Sequence, residues 1–309
     1  MTEHQLGFRS QFVETASRQS TIRAGARLVT VIDDYELMPD DFTLDKSQEV
    51  IILKDTKEDR WDKGQWIQYD DTEETIRYRD ELCRINQTLE DADIDYLRAG
   101  QRSSGAIDTS NRCLRRYFNN HSFQQGGRLF GGFWQHLSKS QRREINIDGM
   151  PTVTLDYGQM VPRILYGLAG HEPTFDDAYT IPGLEGHREG VKKVFNSMLH
   201  RDEPLTQKMK GCAALLPKEM TIHDITDRIM EFHKPVAHVF HAGKGLYLSF
   251  IESKILIMVL TKLVDLGITA LPIHDAIMVK EDEQATATEV MLQVFREVTG
   301  IDGLVKVEL

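Results

Sequence analysis

Cysteine is scarce in this chain: Cys83, Cys113 and Cys212 are the only ones in 309 residues, far apart and odd in number. They offer no zinc-ligand spacing and no disulfide framework, and they fit reduced thiols. No run of about 18 apolar residues occurs, which excludes a membrane-spanning helix. The opening M-T-E-H-Q-L-G-F-R-S lacks the apolar core of a signal peptide, so a cytoplasmic location is expected. Positive charge is also short, with 37 Lys and Arg against 48 Asp and Glu and a net charge of −11. Taken as an average, that argues against a nucleic-acid partner.

The average hides a polarised distribution. Residues 31–95 hold 21 acids against 8 Lys and Arg, whereas residues 98–143 hold nine basic residues against one acid, Asp108. Arg98, Arg102, Arg112, Arg115, Arg116, Arg128, Arg142 and Arg143 dominate the basic stretch, and guanidinium grips phosphate bidentately. Tyr117, Phe118, Phe123 and Phe130 are interleaved with them. A solvated face is the plain alternative for such a stretch, as it is for the acidic one. The length allows one large domain or two small ones, with a sizeable core.

Two acids stand at strand edges. Val153 and Leu155 alternate with Thr152 and Thr154, and Asp156 follows where the strand gives way to a Gly-containing turn. In Ile268 to Val279, two short apolar runs flank His274-Asp275 as in a β-hairpin. Rigid carboxylates on neighbouring strands suit a divalent cation, and hard oxygen ligands favour Mg²⁺ over zinc. His223-Asp224 and His274-Asp275 also fit a hydrolase that binds metal through His-Asp pairs, but no supporting set of histidines accompanies them.

Along the chain, Phe8 to Thr21 has amphipathic character, and Arg27 to Ile32 and Glu49 to Leu53 are β-branched runs that predict strands. Glu73 to Leu97 predicts a helix with Ile76, Leu82, Ile85, Leu89 and Tyr96 on one face. The Gly- and Ser-containing loop Ala99 to Ser110 marks an expected domain boundary. A short basic helix is expected around Cys113 to Phe118. Next comes a loop, Gly126 to Gly132, whose glycines flank Arg128 and let a backbone approach a bulky partner. Gln159 to Gly170 and Glu185 to His200 predict helices, and Arg188, Lys192, Asn196 and His200 recur every four residues along one stripe of the second. Two cations and two uncharged polar groups in line suit a triphosphate and the sugar or base beyond it, with a solvent face as the alternative. Residues 201–240 read as mostly helical. Leu246 to Leu266 is a long apolar helix carrying Glu252 and ending at Gly267, expected to pack under the hairpin. Ala285 to Val298 reads as a helix and Leu304 to Glu308 as a closing strand. The expected class is α+β, an antiparallel sheet with helices on one face, a small helical insertion and an N-terminal mixed α/β region.

Four separated pieces resemble, in order, those of family A nucleic-acid polymerases, the DNA polymerase I-like and single-subunit phage enzymes. G-G-R-L-F-G at Gly126 to Gly131 is similar to T-G-R-L-S-S, with Arg128 as the arginine at the primer-template minor groove. L-D-Y-G-Q-M-V-P-R resembles D-Y-S-Q-I-E-L-R, with Asp156 as first metal-binding aspartate and Arg163 as the terminal arginine. R-E-G-V-K-K-V-F-N-S-M-L-H resembles R-x3-K-x3-F-x3-Y at Arg188 and Lys192, the triphosphate ligands. P-I-H-D-A-I-M-V is similar to V-H-D-E-L-V, with His274 near the primer end and Asp275 as second aspartate. The resemblance spans about residues 122–309. It implies an antiparallel palm sheet in two parts, 99–170 and 246–309, and a fingers-like helical insertion at 171–245; residues 1–98, outside the resemblance, are an acidic region read as a reduced thumb-like part.

The resemblance also implies template-directed nucleotidyl transfer with two Mg²⁺ ions, Mn²⁺ being a possible substitute. Asp156, Asp275 and the Tyr157 carbonyl would hold them. Expected partners are a DNA primer-template, nucleoside triphosphates and a processivity partner, with no membrane; such compact enzymes are phage or plasmid encoded and work in the cytoplasm of a bacterial host. Arg112, Arg115 and Arg116 are expected on the primer-template. The family's motif A glutamate and fingers aromatic, which exclude ribose, are replaced by Val161, Asn196 and His200. DNA synthesis is therefore the first reading, RNA synthesis or priming the second, and a polymerase-like binding protein without chemistry the third. No exonuclease acids are visible.

Overall fold

The computed structural model describes residues 7–9, 22–36, 48–57, 62–96, 107 and 109–308, and the chain divides into two compact units between Gln48 and Glu49. Trp61, Arg98, Arg102, most of Phe8 to Thr21 and most of Ala99 to Ser110 lie outside the described residues. The first unit holds strands β1 (Gly7–Arg9) and β2 (Ile22–Ala24), paired antiparallel, and helix α1 (Ala26–Asp34). The β-branched run Arg27 to Ile32 is thus helical, not a strand. Leu28 and Ile32, one turn apart, are the half-buried residues of α1, and this helical spacing outweighs β-propensity.

The second unit opens with β3 (Ile51–Leu53), α2 (Glu73–Asp91), β4 (Ile94–Tyr96), β5 (Arg115–Asn119) and β6 (Ser122–Phe130). Thr72 and Thr75 cap α2 reciprocally, and Tyr78, Leu82, Ile85 and Leu89 bury one face. Ile76 is exposed instead, and Tyr96 belongs to β4, because the helix stops at Asp91. β5 replaces the expected basic helix. Leu114, Arg116 and Phe118 point inward and Arg115 and Tyr117 are half-buried, an alternation of period two disguised by an arginine at a core position. β3 pairs parallel with β5, and β5 antiparallel with β6. The Gly126 to Gly132 segment is therefore mostly strand, not loop. Its register shifts at Phe118, where Gly127 is the extra residue of a bulge with φ 80°. A Cβ on Gly127 would strike Ser253 Oγ of the helix behind it.

The chain continues through α3 (Lys139–Arg142), β7 (Ile145–Ile147), β8 (Met150–Tyr157), α4 (Met160–Leu168), α5 (Arg188–His200) and α6 (Ile222–Phe232). It then forms α7 (Gly245–Asp265), β9 (Leu271–Ile273), β10 (Ala276–Lys280), α8 (Gln284–Thr299) and β11 (Val305–Glu308). Residues 201–221, expected as helical, are irregular apart from a short 3₁₀ turn, Ala213–Leu215. The larger sheet runs β4-β7-β8-β10-β9, with β11 also on β8, and its pairings are antiparallel. Helices pack on it, so the class is α+β. α7 is apolar around most of its circumference and buried accordingly. It packs chiefly on β6, then on α8 and α2, and not chiefly beneath the β9-β10 hairpin. Through α7, residues 49–96 join the core of the second unit.

Arg116 is the fold's unusual interior residue. Its side chain is 1% exposed, and its guanidinium lies 4.5 Å from the Tyr78 ring and 4.9 Å from that of Phe118. It donates to the Gly127 carbonyl and to Ser253 Oγ, tying the β-bulge to α7. Burial lowers its pKa to about 10, so it remains charged.

Candidate functional site

β8 carries the first acid between two partners. Leu155 and Tyr157 face the core and Asp156 alternates to the other side, half-buried. Asp156 pairs with Ala276 of β10 on one edge and with Lys306 of β11 on the other. Asp275 is the residue before Ala276, in the two-residue turn that joins Ile273 to Ala276. His274, the other turn residue, has φ 57° and is exposed. Register thus brings the two acids together at the rim of one sheet, Asp156 on a strand and Asp275 in the adjoining turn.

Both acids open onto a cavity of about 430 Å³. Its other walls include Val161 of α4, the stripe Arg188, Lys192, Asn196 and His200 of α5, and Arg128 of β6. The four residues of the recurrence read from the sequence all line this cavity, Lys192 and His200 remaining exposed to solvent. Burial, then the charges of Asp275 and Glu308, push the Asp156 carboxyl up to about 6, against Lys192 and Lys139. Among the described residues no cluster of three or more His, Cys, Asp or Glu forms around a common point. Two acids without a third ligand fit Mg²⁺, which keeps several positions for water and substrate oxygens and dehydrates reluctantly. The Tyr157 side chain is spent structurally, its hydroxyl donating to the Met291 carbonyl, so only its backbone is available to a cation.

Several residues at the site were given no role in the sequence, although Gln159 lies within the motif that carries Asp156. Gln159, at the N-cap of α4 with φ 56°, accepts from the Ala178 amide and donates to the Asp176 carbonyl, clamping the following loop to the end of β8. That loop presents Asp177, which takes Arg188 Nε at 2.7 Å and Nη2 at 3.1 Å. Burial raises the Asp177 carboxyl, but hydrogen bonds from Arg188 and Thr180 outweigh it and hold it below its ordinary value. Tyr179, on the same loop, lies 5.3 Å from the Arg188 guanidinium and 5.9 Å from Lys192 Nζ. His233 anchors the loop from behind, donating through Nε2 to the Ala178 carbonyl and accepting from the Tyr166 hydroxyl at Nδ1. Glu252 did leave a signal, an acid inside an apolar helix. It is nearly buried and accepts from Arg128 at 2.7 Å, and burial pushes its carboxyl up against the pull of that arginine.

The expected primer-template arginines separate on inspection. Arg128 is about half-exposed and borders the cavity, whereas Arg116 is sealed in the core and cannot reach a phosphate. Arg112 donates to the carbonyls of Thr109, Ala92 and Ile94, an internal brace for β4. Arg115 is half-buried at the start of β5. Arg163 donates to the Asp302 carbonyl, and its Nε is buried, so it braces α4 against the segment before β11. His200 lies so close to the start of α7 that a Cβ on Gly245 would fall on its ring. Partial burial, with the Arg128 charge, holds that imidazole below its ordinary pKa.

No family model matches the chain, and no curated protein matches it. Among solved structures, the chain is similar to the POL domain of Pol1 from M. smegmatis in complex with DNA primer-template and dNTP, with a TM-score of 0.42 and 12% identity over 76% of this chain and 50% of that one. This chain spans about half the length of that solved chain. No helix among the described residues is long and apolar enough to cross a membrane.

Proposed function

We propose that this chain is a template-directed nucleotidyltransferase that extends a DNA primer from its 3′ end. The supporting observation is the β8-β10 register, which sets Asp156 beside Asp275 on one wall of a cavity whose facing wall carries Arg188 and Lys192. Acids that can hold divalent cations then oppose cations that can hold a polyphosphate. Bound Mg²⁺ supplies charge neutralisation and a lowered hydroxyl pKa. Asp156, Asp275 and the Tyr157 carbonyl hold the ions, and Arg188 and Lys192 orient the triphosphate and offset charge developing on it. In this role residues 171–245 act as fingers, and residues 99–170 with 246–309 as a divided palm. Residues 1–98 take the role of a reduced thumb, and the small grip implies low processivity or a partner.

Labelled-primer extension on a DNA template with Mg²⁺, supplied with dNTPs or rNTPs, tests the reading, with Asp156→Asn and Asp275→Asn as controls. Extension that survives both substitutions removes it, and folded protein with no extension in either nucleotide favours a binding role. One observation keeps RNA synthesis as second reading: the cavity face of α5 ends in Asn196 and His200, with no aromatic shelf, and α4 lines the cavity with Met160 and Val161 and no acid. Val161→Glu is expected to cut rNTP use relative to dNTP use by tenfold or more on the order of 1–3 kcal/mol. An unchanged ratio places the sugar elsewhere.

Asp177 is a positioning residue in this scheme, holding the Arg188 fork over Tyr179. Asp177→Asn is expected to raise the nucleotide KM about tenfold with a smaller effect on kcat. A lower KM would mean instead that Asp177 competes with the triphosphate for the guanidinium.

A further inference from the structure

A second, larger cavity of about 1140 Å³ adjoins the first, sharing Arg128, His200 and Ser249 with it. Strands β5 and β6 line it, and its walls carry an unusual run of rings. Trp66, 60% exposed, meets Tyr117 edge-on at 6.3 Å. Tyr117 meets Phe130, 44% exposed, at 5.7 Å, and Phe130 meets His274 at 6.4 Å. His274 is the neighbour of Asp275, so the rings lead from Trp66 to the acidic pair. Large exposed aromatics in a connected row bury little here, and isolated core packing does not explain them.

The charge beside the row is positive. Lys54 Nζ sits 5.1 Å from the Tyr117 ring and donates to the Lys63 carbonyl, and Lys57 and Arg128 line the same cavity, with Asp202 as its acid. The ammonium of Lys54 is held below its ordinary pKa by burial and by the charges of Lys57 and Lys63, so the lysines crowd one another. This cluster lies within the region whose overall balance is strongly acidic. Aromatic faces beside a basic track are what an unpaired strand requires, since every base offers a face to stack and every link a phosphate. A closed duplex offers faces only at its ends.

We propose that Trp66, Tyr117 and Phe130, flanked by Lys54 and Lys57, form a stacking platform for single-stranded DNA that leads to the Asp156-Asp275 site. The choice of DNA over RNA rests on the polymerase reading; the platform itself does not. The test is anisotropy of a labelled oligothymidylate with the full chain, without nucleotide or divalent cation, against an oligouridylate and a blunt duplex of equal length. Trp66→Ala and Phe130→Ala are each expected to weaken oligothymidylate binding by about five- to fifty-fold. Trp66→Phe is expected to stay within about threefold, and Lys57→Glu to weaken binding and flatten its salt dependence. Unchanged affinity in Trp66→Ala, or a duplex bound as tightly as the single strand, overturns the platform. Tighter binding of the oligouridylate overturns the assignment to DNA. Absence of primer extension with this binding pattern intact overturns the polymerase reading alone.

Discussion

Asp156→Asn is expected to make the metal-free protein more stable at neutral pH while reducing primer extension on the order of 10³-fold or more. The activity loss follows from removing a carboxylate that would hold the cation. The gain in stability follows from the raised carboxyl pKa, about 6 in the folded chain against an ordinary value of 3.8. A group whose pKa rises on folding favours the folded state below its unfolded pKa, and that advantage is lost as pH climbs through the folded value. Ionised Asp156 therefore costs stability above about pH 6 and nothing below about pH 4. The shift alone would correspond to about 3 kcal/mol, and because the side chain is partly solvated about 1–2 kcal/mol is expected. Thermal melts of the two proteins in chelator at pH 7 should differ by several degrees, at about 2–4 °C for each kcal/mol, and converge at pH 4. Mg²⁺ should raise the melting temperature of the wild-type chain more than that of the variant. Identical melts in chelator at pH 7 would contradict the crowding of the acids.

Arg116→Ala should unfold or severely destabilise the chain. It removes cation-π contacts with Tyr78 and Phe118 and leaves the Gly127 carbonyl without its donor in the core. Cavity formation and the unpaired acceptor together predict a loss of about 3–5 kcal/mol, measurable by urea denaturation. Arg116→Met fills most of the space and loses mainly the hydrogen bonds, so about 1–3 kcal/mol is expected. A charge reversal at Arg116 would act through unfolding and would say nothing about phosphate contact. If Arg116→Ala melts like the wild type, the guanidinium is not holding the bulge to α7.

The contrast between these residues shows what could be read from the chain. The positions of Asp156 and the α5 stripe were legible because they sit in elements with a clean period, two along β8 and nearly four along α5, and that of Asp275 because two short apolar runs flank it as in a hairpin. The β5-β6 pair was not. An arginine at an inward position breaks the apolar alternation of β5, and glycines in a bulge imitate a loop. α1 misled in the opposite sense, its β-branched side chains concealing the Leu28 to Ile32 turn. Asp177, Gln159 and His233 act through backbone carbonyls, amides or a distant guanidinium, and such pairings depend on where a loop lands. The division between Gln48 and Glu49 likewise follows from β3 pairing with β5, a contact between segments far apart in the chain.

The pairing of β8 with both β10 and β11 sets the order in which a nascent chain can become competent. Asp156 is made before β10 and β11, so its stretch of β8 has no partner on either edge until β10, and then Val305 to Glu308, have followed it. Non-local strand pairing of this kind is slow to form and leaves strand edges open in the meantime. The acidic pair is thus assembled only once β10 has been made, and the other edge of β8 at Asp156 stays open until β11 is made. A chain released before β10 would keep the strands of β3-β5-β6 but lack Asp275 and the partner that sets the register of Asp156.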